Sequence, residues 1–221
     1  MNNTKNDKEI RSLVTNFNIE KREDGSESRT LTGYAIVFNQ DSEDLGFRER
    51  ILPGAVTEEV IKRSDIVFTY QHNLNWCLAR LTEGEGNIEV SIDEHGVAFR
   101  FEVPNTTIGN DLLELVRTGV VRGCSFAFTI DPSDPEAEKW EEVDGIYHRY
   151  IHKIDRLYDF SCVVTPAYEG TSVSARAMDN LDALKKEVEA RQQAEADAAE
   201  KARVDALNEK YDNMLADIDK L

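Results

Sequence analysis

The sequence predicts an α+β fold, a long and mostly antiparallel sheet with flanking helices that ends in an extended C-terminal helix. Two patterns carry that prediction. Between residues 11 and 164, short stretches rich in β-branched and aromatic residues alternate apolar with polar positions and are punctuated by Gly, Pro, Asn and Asp, as strands and turns are. From Met178 to Leu221 there is no Gly, Pro, Cys or Trp, and Ala, Glu, Asp, Lys and Leu dominate, which is a helical composition. The expected organisation is a disordered lead-in at 1–10, a single well-buried domain at 11–176 and a helical, coiled-coil-prone tail at 177–221.

Taken in order, Leu13, Thr15, Phe17 and Ile19 alternate with polar residues as in a half-buried strand. After a turn at Asp24-Gly25, residues 29–39 carry apolar groups on both faces, predicting a central strand paired to the first as a hairpin. Gly33 within it predicts a bulge or a close approach of another backbone. Residues 41–50 read as a charged loop, and Pro53-Gly54 leads into a short helix bearing Val56, Val60 and Ile61. Residues 65–70 form a strand that ends at Gln71-His72-Asn73, and residues 77–81 continue the sheet beyond a turn. Alternating strands at 87–92 and 97–103 join through Asp93-Glu94-His95-Gly96, a short hairpin connection. A helix at 107–117 sets Ile108, Leu112, Leu115 and Val116 at helical spacing and stops at Gly119.

That helix delivers the chain into the strand Gly123-Cys124-Ser125-Phe126-Ala127-Phe128-Thr129. Period two puts Cys124, Phe126 and Phe128 on one side and Ser125, Ala127 and Thr129 on the other. Residues 131–145, with two prolines and seven acidic residues, read as a loop without periodicity. Strands follow at 146–154 and 157–164. In the tail, Val204, Leu207, Tyr211, Met214, Ile218 and Leu221 fall in 3,4 alternation, a short seam for a partner helix or a second copy of the chain.

Composition narrows the function. With 43 acidic residues against 26 basic ones the net charge is -17, and such a surface repels phosphate backbones, so no nucleic-acid partner is expected. No apolar run approaches the roughly 20 residues that span a bilayer, and the N-terminus lacks the apolar stretch of a signal peptide, so no membrane is expected either. Three widely spaced cysteines, an odd number, suit free thiols in a reducing compartment such as the cytosol. No cofactor is expected. His148 and His152 share a strand face with Tyr150 as a metal-binding pair does, yet no cysteine or carboxylate cluster completes a site, and a solvated pair is the simpler reading.

Proton-transfer chemistry near neutrality points to histidine. His95 sits in a turn and is best read as solvated. His72 stands at a strand end, where functional side chains are presented, beside Tyr70 and Asn73; read blandly it is an exposed loop histidine. Asp159 is a carboxylate within an otherwise apolar strand, which requires a partner or a role, and an ion pair with Arg156 or Arg149 is the plain alternative. Cys124 is a second candidate nucleophile, but its side of the strand is the core side, where thiols are inert.

Five blocks, in order, carry a resemblance. Gly33-Tyr34-Ala35 with Val37-Phe38, Ile51-Leu52-Pro53-Gly54-Ala55, Gln71-His72-Asn73, Gly123-Cys124-Ser125-Phe126-Ala127-Phe128, and Asp159-Phe160-Ser161 with Thr165-Pro166-Ala167-Tyr168 resemble the motif blocks of the tailed-phage prohead proteases. The resemblance spans residues 33–175 and leaves out the tail. It implies a serine endopeptidase that trims scaffold segments from the major capsid protein precursor inside the assembling procapsid, in the host cytoplasm. It implies a fold similar to the herpesvirus assemblin-type maturational proteases, a β-barrel carrying helices. Carried over by motif, Ser125 is the nucleophile, His72 the base and Asp159 the orienting acid, with oxyanion donors among the backbone N–H groups near Arg122 and Gly123. Relatives often have glutamate at the third position and the herpesvirus enzymes a second histidine, so His152 and His148 stand behind Asp159 for that role. The competing class is a non-catalytic assembly or scaffolding protein acting through the C-terminal helix.

Overall fold

The computed structural model describes residues 8–164 and 173–218, with side chains described through residue 210. Residues 1–7 of the expected lead-in, the block Thr165-Pro166-Ala167-Tyr168, and the side chains of Tyr211, Met214, Ile218 and Leu221 lie outside the described residues. The chain divides into two compact units, Met1–Met178 and Asp179–Leu221. It runs through β1 (Glu9–Val14), β2 (Asn18–Lys21), β3 (Glu27–Val37), β4 (Arg48–Ile51), α1 (Glu58–Arg63), β5 (Asp65–Tyr70), β6 (Asn73–Thr82), β7 (Glu85–Gly86) and β8 (Ile88–Ile92). There follow β9 (Gly96–Glu102), α2 (Thr107–Arg117), β10 (Gly123–Thr129), β11 (Glu138–Val143), β12 (Ile146–Ile151), β13 (Arg156–Val163) and α3 (Ala175–Ile218), which carries the chain into the second unit. Among the described residues no helix is long and apolar enough to cross a membrane.

The fold is mixed α+β, with strands in the majority and a C-terminal helix. Three sheets have the orders β1-β10-β13-β5-β6-β7, β2-β3-β9-β8 and β11-β12-β4. Pairing is antiparallel except at β13–β5 and β12–β4. None of the described sheets closes on itself, which corrects the expected barrel: the largest ends on β1 and β7, and its neighbours meet it through side chains instead of a shared ladder. Phe126, Phe160 and Phe68 stand in register across three strands of its core face. The Phe68 ring centre lies 4.7 Å from that of Phe99 and 4.6 Å from that of Phe101, both on β9. All five rings are buried, and at about 1.5–3 kcal/mol for each this interlock holds the two larger sheets together.

The stretch expected as one strand at 13–19 is two. β1 ends at Val14 in the large sheet, the Thr15 N–H donates to the Arg122 carbonyl at 3.1 Å, and the chain crosses to β2, which forms the expected hairpin with β3. Apolar alternation continues through the crossing because Phe17 packs against Phe99 there. Glu9 and Ile10, expected in the lead-in, already belong to β1. Gly33 answers to side chains and not to backbone: a Cβ there would stand 3.0 Å from Phe99 Cζ and 3.1 Å from Phe17 Cδ1. β3 also bulges just after it, between Tyr34 and Ile36.

The two expected loops at 41–50 and 131–145 contain β4 and β11, which flank β12; the strand expected at 146–154 stops at Ile151. Their charged sequences hide alternation because the inward positions carry paired ions. Arg149 of β12 is fully buried and donates through Nη1 to Glu9 (2.6 Å) and Glu49 (2.8 Å) and through Nε to Glu138 (2.6 Å). Arg11 of β1 donates through Nε to Glu49 (2.6 Å) and through Nη2 to Glu9 (2.7 Å). Burial alone would raise the Glu9 carboxyl, but the hydrogen bonds and charges of Arg149 and Arg11 outweigh it and hold the group at about 2, below its ordinary 4.5.

Candidate active site

The site is built on the second face of the large sheet. With Cys124, Phe126 and Phe128 committed to the core, alternation leaves Ser125 on the opposite side of β10. There Ser12, Ser125, Ser161 and Thr69 stand in register across β1, β10, β13 and β5, a row of four hydroxyls. Asp159, two residues before Ser161 on β13, shares their face. Ser125, Ser161 and Thr69 are buried, so each hydroxyl must find a partner within the protein.

His72 reaches this row from a turn. β5 and β6 are joined by two residues, Gln71 and His72, with φ of 56° and 55°, while Tyr70 and Asn73 pair across the turn. A two-residue hairpin of this twist requires positive φ at both central positions, which normally selects Asn and Gly. Here two larger residues accept that strain. The turn is tied to β13 by the Gln71 N–H, which donates to the Cys162 carbonyl at 3.0 Å, and by the His72 N–H, which donates to Ser161 Oγ at 2.8 Å.

The imidazole lies between hydroxyl and carboxylate. Its Nε2 is 2.7 Å from Ser125 Oγ, and its Nδ1 is hydrogen-bonded to Asp159 Oδ2. Thr69 Oγ1 donates to the other carboxylate oxygen, Oδ1, at 2.9 Å. An ionised carboxylate only accepts, so Nδ1 carries the ring proton and Nε2 is left to accept from Ser125. The Ser125 hydroxyl proton has a second acceptor, the Arg11 carbonyl of β1, at 2.9 Å. The His72 side chain is 24% exposed and that of Asp159 13%, so the group opens to solvent on the imidazole side.

The other candidates lie elsewhere. Cys124 is fully buried, and burial pushes its thiol far above the usual range, the reverse of what a thiolate nucleophile needs. His148 is on β12 with its ring stacked on Tyr150, and His152 follows that strand beside Pro135, Glu136 and Lys153; neither is brought to His72. Arg149, a possible partner for Asp159, is instead engaged by Glu9, Glu49 and Glu138. Among the described residues no three His, Cys, Asp or Glu side chains gather as a metal would require. A cavity of about 130 Å³ lined by Arg11, Leu13, Gln40, Glu43 and Phe126 contains none of Ser125, His72 and Asp159. In the sequence Ser161 stands only within the block Asp159-Phe160-Ser161, with no role of its own, and Thr69 and the Arg11 carbonyl carry no mark of a site, because only strand register makes them neighbours.

Hydroxyl, imidazole and carboxylate joined in series are the arrangement by which serine hydrolases activate their nucleophile. The chain belongs to the caudovirus prohead serine protease family, whose model matches residues 15–186. Among solved structures it is similar to the bacteriophage T4 capsid assembly protease, with 11% identity over 71% of this chain and 96% of that one and a TM-score of 0.47. None of the curated proteins compared with the chain matches it.

Proposed function

We propose that the protein is a serine endopeptidase that trims the major capsid protein precursor and its scaffold segment inside the assembling procapsid, in the host cytoplasm. Ser125 is the nucleophile, His72 the general base and Asp159 the acid that orients it. The observation that carries the reading is the 2.7 Å approach of His72 Nε2 to Ser125 Oγ, with Asp159 on the far nitrogen of the same ring. Membership of the prohead protease family supports the substrate class.

In this mechanism Nε2 takes the Ser125 proton as Oγ attacks the scissile carbonyl carbon, and Asp159 stabilises the imidazolium that forms. The same proton then passes to the leaving amine, and water repeats the cycle on the acyl-enzyme. Backbone N–H groups near Arg122 and Gly123, at the entrance to β10, are assigned to the oxyanion. The tail at 177–221 is the assembly element of this reading and binds a scaffold helix or a second copy of itself.

The test uses the full chain and the capsid precursor of the same phage. A fluorophosphonate labels Ser125, alkylation of thiols leaves that labelling intact, and Ser125→Ala abolishes both labelling and precursor cleavage while the fold is kept, since one buried hydroxyl carries little packing. Cleavage by Ser125→Ala at the wild-type rate, or labelling that tracks Cys124, would sink the assignment.

A further inference from the structure

We propose that Thr69 and Ser161 are positioning residues for the His72 base, joined with Asp159 in one closed ring of hydrogen bonds that begins and ends on His72. This inference rests on the reading of Ser125, His72 and Asp159 given above and deepens it. Both hydroxyls are fully buried and stand side by side on the parallel pair β5–β13, so the sheet itself sets their separation.

The ring is traced atom by atom. The His72 main-chain N–H donates to Ser161 Oγ at 2.8 Å. Ser161 Oγ lies 3.0 Å from Thr69 Oγ1, and its own hydroxyl also reaches the Thr69 carbonyl at 3.2 Å. Thr69 has one proton and two oxygens within reach; the carboxylate is the stronger acceptor, so the proton goes to Asp159 Oδ1 at 2.9 Å, and in the ring the Ser161 hydroxyl, whose other acceptor is the Thr69 carbonyl, donates to Thr69 Oγ1. Asp159 Oδ2 then receives the ring N–H of His72, and the circuit is complete.

Each member has a separate task. In a two-residue turn only the outer pair is joined by the turn's own backbone hydrogen bond, so the N–H of the second central residue is left over. Ser161 takes that N–H, and it does so at a residue whose φ of 55° a side chain other than glycine resists. Ser161 thus fixes where the His72 main chain sits, while Thr69 fixes the rotation of the carboxylate that aims the ring. The 2.7 Å approach to Ser125 depends on both, because an ångström of misplacement at a reacting group lowers rates by about a hundredfold.

Labelling of the full-length protein by a fluorophosphonate, followed as a second-order rate at Ser125, tests the ring without requiring the natural substrate. Thr69→Val keeps the shape and removes the hydroxyl, and labelling slows by about 10- to 100-fold. Thr69→Ser removes the methyl and keeps the hydroxyl, and the rate returns to within about threefold of wild type although packing is poorer. Ser161→Ala slows labelling to a similar degree, and the double variant Thr69→Val, Ser161→Ala is little slower than either alone, as members of one unit behave. Thermal unfolding accompanies each variant; if Ser161→Ala does not fold, the opposed Thr69 substitutions decide. Wild-type labelling by Thr69→Val, or a Thr69→Ser variant as slow as Thr69→Val, overturns the ring while leaving the nucleophile in place. A wild-type chain that does not label at Ser125 overturns the serine-protease reading, and this inference with it.

Discussion

His72 is held in a left-handed backbone conformation that L-residues adopt at a cost of roughly 1–2 kcal/mol, and the return is that its ring folds back over β10 and β13 instead of pointing along the sheet. What the ring does there depends on Asp159. An asparagine at 159 presents an NH₂ group as readily as an oxygen, so it no longer dictates which ring nitrogen carries the proton. Asp159→Asn is therefore expected to lower precursor cleavage by about 10²- to 10⁴-fold with the fold intact. His152→Ala should leave cleavage within about twofold, as a substitution away from the reacting groups does. The reverse pair of results would give the third role to His152. Cleavage by the wild type should rise with pH as the imidazole becomes neutral and able to accept the serine proton. A rate that does not rise would count against a histidine base.

At the scale of elements, buried ion pairs tie β1 to the sheet β11-β12-β4. Arg149→Ala would leave the buried Glu9, Glu49 and Glu138 short of a cation, and breaking such a group from one side costs about 3–5 kcal/mol, read as a fall in the urea midpoint. Acid should act at the same place. The folded-state value of Glu9, about 2, lies below its ordinary 4.5, so its stabilisation is complete above 4.5 and is lost as pH falls toward 2, on the order of 3 kcal/mol in all. Glu9→Gln should flatten that part of the pH dependence, and an unchanged slope would remove Glu9 from the account. The same cluster explains what was legible in the sequence. Strands with an apolar inward face, such as β3, β5, β9 and β10, announce themselves by alternation, and the helices by the spacing of their apolar residues. β4 and β11 stayed hidden because Glu49 and Glu138 take inward positions that a pattern of apolar residues reserves for Val or Leu. At the site, His72, Ser125 and Asp159 were each visible as candidates, whereas Thr69 and Ser161 were not. Theirs is a relation between strands, and register across a parallel pair leaves no mark in either sequence alone.

For the whole molecule, the division at Met178 separates a sheet-built unit from a helical one. Removing residues 179–221 should leave Ser125 labelling by a fluorophosphonate within about twofold of the full chain, because every group of the proposed machinery lies before that point. Incorporation into procapsids should fall sharply, since many weak helix contacts inside one shell act together. A truncated chain packaged as well as the full one would refute the assembly role of the tail. The parallel pair β13–β5 also governs when the proposed machinery comes together. His72 and Ser125 are 53 residues apart in sequence and His72 and Asp159 are 87 apart, and among the described strands the one that carries Asp159 is the last to be made. Contacts between such distant segments form late, after their loop-closure entropy has been met. A ribosome adds about 5–20 residues per second, so for several seconds the growing chain holds a serine and a histidine with nothing to align them. In the proposed mechanism the parts can act only once β13 stands between β10 and β5, and the sheet's own topology then serves as a clock that keeps the newborn chain harmless to its neighbours.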